Sequence, residues 1–359
     1  MIKIYEPYKI SNFSQKAFEL VSQGKLTSQN EEFDLLTREL TKFHGLKTIP
    51  VFNGTCATHL TFKVLKEKLP NLKNVIVPNN VYVAAWNSML MDGKINLIPV
   101  DASEDTWCID IEKLRAEIVK YDPCDTGILV VHNVGNIVNV SKLIREFPEH
   151  SFIEDNCEGF LGEYENQKSG TASLASSISF YANKTITCGE GGAVIVADEY
   201  HNKINRIQSQ GQTNQRYVHD ILAYNYRMTN LQAAMLLSQL SILDEIKAKK
   251  EYIFARYKRD LSQKIKFQKV EENTKHSHWM CAVKVTDFDY HQENNIFGSK
   301  FETRPMFYPM SAHCHLRHFS KDESIANKLA KECFMLPSHP NLSDGDLDII
   351  INHLNKYFS

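Results

Sequence analysis

The first two-thirds of the chain alternates short apolar runs with longer stretches whose apolar residues recur every three or four positions. VIVP (75–78), INLIPV (95–100), GILVVH (127–132), FIED (152–155), SISFY (177–181) and GAVIVA (192–197) predict buried strands. Between several of them lie helix patterns, such as ATHLTFKVLKEKL (57–69) and VAAWNSMLMDG (83–93). Strands separated by helices predict an α/β layer structure with a largely parallel sheet. The stretch 230–263 is helical in pattern and free of Gly and Pro, so it reads as one long helix joining two parts. A large domain over 1–240 and a smaller C-terminal α+β domain over 241–359 follow from that reading. The smaller part shows short strands with polar connections and a closing helix near 344–357, and no internal repeat is evident.

Composition narrows the function classes. The 359 residues are 43% hydrophobic and 23% charged, ordinary for a globular chain, and the formal net charge of -2 offers no field for nucleic acid or anionic membrane. No apolar run approaches a bilayer span. The opening MIKIYEPYKISNF lacks a charged segment followed by an apolar one, so a cytoplasmic location is expected. The eight cysteines are scattered without a C-x-x-C pair and read as reduced thiols. His313-Cys314-His315 has no companion ligands nearby, and no metal site is expected.

Three segments carry candidate chemistry. Asp155 ends a strand, where ligands collect in open α/β sheets; alone it also suits a helix cap. Asn53-Gly54-Thr55 opens a helix whose free N–H groups could take a phosphate, with Gly54 permitting close approach. The spacing matches neither a Walker nor a dinucleotide motif, so this signal is weak by itself. Lys184, in ISFYANKTITCGEGGAVIV, stands in a turn between two strand-like runs, as either a solvated lysine or a reactive amine.

In order, GTCA, EDNCEG, SFYANKTITCGEGG, YNYRMTNLQAA, ETRPMFYP and LPSHPNL resemble the DegT/DnrJ/EryC1/StrS aminotransferases, and the lysine segment resembles their perosamine synthase-like branch. The resemblance covers roughly residues 27–342. It implies a fold-type-I transferase dependent on pyridoxal 5'-phosphate, with a mostly parallel seven-stranded sheet between helices. Lys184 matches the lysine that forms the Schiff base, and Asp155 the aspartate paired with the pyridine nitrogen. Gly54, Thr55, Cys56 and Ser179 match phosphate-binding residues. Tyr82 falls where an aromatic ring stacks on the cofactor. Glu158 matches a residue, often glutamine, near the phenolic oxygen. Asn225 matches a residue that reaches the phosphate from a neighbouring subunit, which implies a homodimer with shared sites.

The implied reaction is ping-pong transamination. L-glutamate gives its amino group through pyridoxamine 5'-phosphate to a nucleotide-linked keto sugar, in this branch a 4-keto-6-deoxyhexose. A dehydratase subgroup carries histidine where this chain has Lys184, so lysine favours transamination. His219, Arg227, Arg304 and Tyr308 are candidate substrate contacts, with a surface ion pair the competing reading of Arg304. Gln29-Asn30 stands where many relatives carry Gly-Pro, and MSAHCHLRHF (310–319) departs from the usual continuation. Either change could move specificity toward a cyclitol, a 3-keto sugar or a smaller keto substrate. A non-catalytic cofactor-binding regulator is the remaining alternative, disfavoured by the presence of both Lys184 and Asp155.

Overall fold

The computed structural model describes residues 1–28 and 31–359, so the Gln29-Asn30 departure lies outside the described residues. Seven strands form one sheet in the order Lys47–Val51, Gly192–Val196, Ala175–Ser179, Ser151–Asp155, Thr126–Val131, Asn74–Pro78, Asn96–Val100. Gly192–Val196 runs antiparallel to both neighbours, and the remaining neighbours pair parallel. This is the mostly parallel α/β architecture expected from the apolar runs.

Successive side chains of a strand face opposite ways, and here both faces are covered. Val75, Val77, Leu129 and Val131 pack with Phe62 and Trp86 on one side. Ile76, Ile128, Val130 and Phe152 pack with Leu114 on the other. Burial on both faces is why these strands read as unbroken apolar runs.

Two readings change. Lys47–Val51, not among the strands expected from the sequence, is a full strand paired with Gly192–Val196. Pro50 hid it; an edge position tolerates proline because the missing N–H faces no partner. The expected helix over 230–263 is two helices, Asn230–Leu240 and Leu243–Asp260, broken where Ile242 adopts φ -118°. No Gly or Pro marks that break.

A second, four-stranded antiparallel sheet orders Ile265–Lys266, Cys281–Val285, Cys333–Leu336 and Arg304–Pro305. Ile253, Phe254 and Tyr257 of the Leu243–Asp260 helix, with Leu347, Ile350 and Leu354 of the closing Asp344–Phe358 helix, join its core.

Candidate active site

A cavity of about 550 Å³ opens at the carboxyl ends of the parallel strands, where open α/β sheets collect ligands. Asp155 ends one strand, Ser179 ends the next, and Lys184 follows in the turn; all three line the cavity.

The strand bearing Asp155 is anchored from behind. Glu154, fully buried, accepts hydrogen bonds from Tyr164, Ser173, the Gly170 N–H and His132 Nε2, the last at 2.9 Å. His132 Nδ1 accepts the Val138 N–H, which leaves the proton on Nε2. A buried carboxylate with this many donors holds its strand end rigidly. On the cavity side, Asp155 Oδ1 accepts from the Cys157 N–H at 2.9 Å and from Ser177 Oγ at 3.4 Å.

The helix Gly54–Lys68 points its N-terminus at the same cavity. Asn53 caps it by accepting the Cys56 N–H at 2.9 Å, leaving the Gly54 and Thr55 N–H groups at the rim. Glycine is required at two contacts. A Cβ on Gly54 would stand 2.8 Å from Ser179 Oγ, and one on Gly192 would stand 2.5 Å from the Asn53 carbonyl oxygen. Cys56 contributes no donor to the rim, because its N–H is taken by the cap and its side chain packs against the Ile49–Leu60 cluster.

Lys184, in the turn after Ser179, brings its amine to this cavity. Its Nζ lies 3.7 Å from Glu158 Oε1 and 3.9 Å from the centre of the Trp279 ring. Burial pushes the Glu158 carboxyl up to about 7, against the opposing pull of Lys184 and the Val134 N–H. That N–H donates to Glu158 Oε2 at 2.7 Å, and Val134 achieves it at φ 55°, a strained position for a β-branched residue.

The other sequence candidates divide into two groups. Tyr82, 60% exposed, and Arg304 line the cavity, with the Arg304 guanidinium over the Tyr5 ring at 5.0 Å and Tyr82 edge-on to Phe307. Tyr308 instead stacks on His291 outside it. His219, Asn225 and Arg227 also stand outside, together on one strap. It is held by backbone bridges Gln212↔His219, Ser209↔Asn225 and Val51↔Arg227. His313 packs on Trp86 and His315 bonds Asn87, and among the described residues no cluster suited to a metal occurs. Trp279 lines the cavity and escaped the sequence reading; HSHWMCAVKV looks like any strand approach, and no local spacing marks it.

The sequence profile of the DegT/DnrJ/EryC1/StrS aminotransferase family matches residues 8–355. The chain belongs to that family. It is a pyridoxal phosphate-dependent sugar aminotransferase. It is 30% identical to the GDP-perosamine synthase of Vibrio cholerae over the whole of both chains. It is 31% identical to that of Caulobacter vibrioides, covering 85% of this chain and 84% of the relative. Among solved structures, a sugar aminotransferase of Micromonospora echinospora superposes with TM-score 0.89 at 19% identity, covering 99% of this chain and 100% of the other. PseC of Helicobacter pylori, titled as an aminotransferase of pseudoaminic acid biosynthesis, gives 0.88 at 22%, covering 99% and 98%. These two likenesses concern the fold.

Proposed function

We propose that the enzyme transfers the amino group of L-glutamate to a nucleotide-linked 4-keto-6-deoxyhexose, with Lys184 and Asp155 as its catalytic residues. One observation carries the assignment: an amine, a carboxylate and a glycine-opened helix N-terminus converge on one cavity at the strand ends. That donor set fits pyridoxal phosphate. The Gly54 and Thr55 N–H groups and Ser179 Oγ suit a phosphate, and a side chain at position 54 would crowd Ser179 Oγ. Asp155 would stand against the ring nitrogen, Tyr82 against the ring, and Glu158 near the phenolic oxygen.

When bound, pyridoxal phosphate supplies an electrophilic carbon for the amine and a ring that delocalises the electron pair left by the departing proton. The chain's own residues do the rest. Asp155, fixed by the Cys157 N–H and Ser177, would hold the ring nitrogen's proton as its counter-ion. The Lys184 amine is the group in this cavity that would take up and return the proton of the donor's α-carbon. Trp279 and Phe307 wall the cavity and limit water. L-glutamate and the keto sugar would thereby exchange amino group for carbonyl oxygen, giving 2-oxoglutarate and the amino sugar.

The relatives, two GDP-perosamine synthases among them, support a 4-amino-6-deoxyhexose product. Arg304, in the cavity lining, would meet the nucleotide phosphates. The strap with His219, Asn225 and Arg227 also carries Tyr217 and Leu222, 82% and 90% exposed. These exposed apolar side chains beside the polar residues support a homodimer in which the strap enters the neighbour's cavity. The division of the chain near residue 240 into a cofactor-binding part and a smaller part completes this reading. Lys184→Ala is expected to lower the transfer rate by about a thousandfold or more, and borohydride trapping followed by peptide mapping should place the cofactor on Lys184 in the wild type. Cofactor trapped on another lysine would remove the assignment.

A further inference from the structure

Lys250 is a lysine that the reaction does not use. It is 5% exposed, and its amine donates to two main-chain carbonyls, that of Trp279 at 2.5 Å and that of Ser338 at 2.9 Å. A buried lysine is costly unless its amine is well bonded, so the two carbonyls are held firmly where the Cys281–Val285 and Cys333–Leu336 strands meet the cavity wall. The Trp279 indole is fixed again at its far end, where Nε1–H donates to the Asn183 carbonyl at 3.0 Å, one residue before Lys184. The same segment touches the opposite side of the lysine's surroundings. Ser277 Oγ donates to the Glu158 carbonyl at 2.6 Å and accepts the Trp279 N–H at 3.3 Å. Between these fixed points the indole face lies 3.9 Å from Lys184 Nζ, and Glu158 Oε1 lies 3.7 Å from it.

We propose that Trp279 is a positioning residue for Lys184: its indole face holds the Lys184 amine against Glu158 inside the cavity, and buried Lys250 pins the indole. An aromatic face attracts an ammonium, and more strongly where water is excluded; Trp279 is only 4% exposed. The amine is thereby kept in one place until cofactor or substrate displaces it, and the second sheet sets that place through its grip on Trp279. The inference rests on Lys184 being the reactive amine, but the geometry that carries it does not involve the cofactor.

The test is competitive labelling of lysines with acetic anhydride at pH 7.5 on the full-length protein freed of cofactor, read per lysine by mass spectrometry. In Trp279→Met, Lys184 is expected to label about two- to thirtyfold faster, with Lys63 and Lys113 unchanged. Trp279→Phe, which keeps an aromatic face but loses the Nε1–H anchor, should raise Lys184 labelling less than Trp279→Met does. Lys250→Met should raise Lys184 labelling in the same direction. An unchanged Lys184 rate in folded Trp279→Met overturns the proposal. Should that variant open as a whole, seen as faster labelling of every lysine, an unchanged Lys184 rate in Lys250→Met overturns it instead. Cofactor trapped on a different lysine would remove the premise about catalysis while leaving the labelling result to stand.

Discussion

Glu158 shows what one side chain can settle. Its carboxyl is nearly enclosed, and burial raises it to about 7 from an ordinary value of 4.5. A carboxyl raised in the folded state contributes stability that is fully present below pH 4.5 and is lost as pH rises through about 7. Glu158→Gln should flatten that decline, by an amount on the order of 2 kcal/mol between pH 5 and 7.5, measured by urea unfolding of cofactor-free protein. A variant that loses stability over that window as steeply as wild type would contradict the assigned environment. At this scale the sequence marked Asp155 and Gly54 at element ends and Lys184 in a turn between two strand-like runs, and the family resemblance added Ser179; all four line the cavity. Trp279, Ser277 and Lys250 were not, since a distant part of the chain brings them to the amine. The left-handed turn at Val134 was equally hidden: nothing in a valine announces φ 55°.

Among the elements, the strap that carries Asn225 has an anchor of its own. Tyr224 Oη donates to Asp92 Oδ1 at 2.7 Å, and Tyr226, stacked on Tyr224, bonds His59 at 3.1 Å. Lys63 closes the cluster on Asp92 at 2.5 Å. Burial pushes the Asp92 carboxyl up, but Lys63, Tyr224 and His59 together hold it down to about 2. A lowered carboxyl contributes stability above pH 3.8 and loses it as pH falls through about 2. Asp92→Asn is expected to cost about 1–2 kcal/mol at pH 7 and to raise KM for the sugar acceptor with a smaller change in kcat. Unaltered KM would separate the strap from substrate binding. The strands were readable because helices bury both of their faces, whereas the Pro50 edge strand and the helix break at Ser241-Ile242 lack a local marker.

For the whole molecule, one cavity holds the amine, the carboxylate and the helix N-terminus, while the strap residues stand away from it. Subunits mixed from Lys184→Ala and Asn225→Ala parents should regain activity by forming sites with both native residues, seen as turnover above either parent. No gain on mixing would place Asn225 outside its neighbour's site. The central claim is that Lys184 and Asp155 serve amino transfer from glutamate to a nucleotide-linked keto sugar. The visible spectrum of the holoenzyme tests it most directly, recorded alone, with L-glutamate, and then with GDP-, UDP- and TDP-linked 4-keto-6-deoxyhexoses. The account predicts that the cofactor band fades with glutamate and returns with one of the sugars. A band that ignores glutamate, or that fades and returns with none of them, would contradict it.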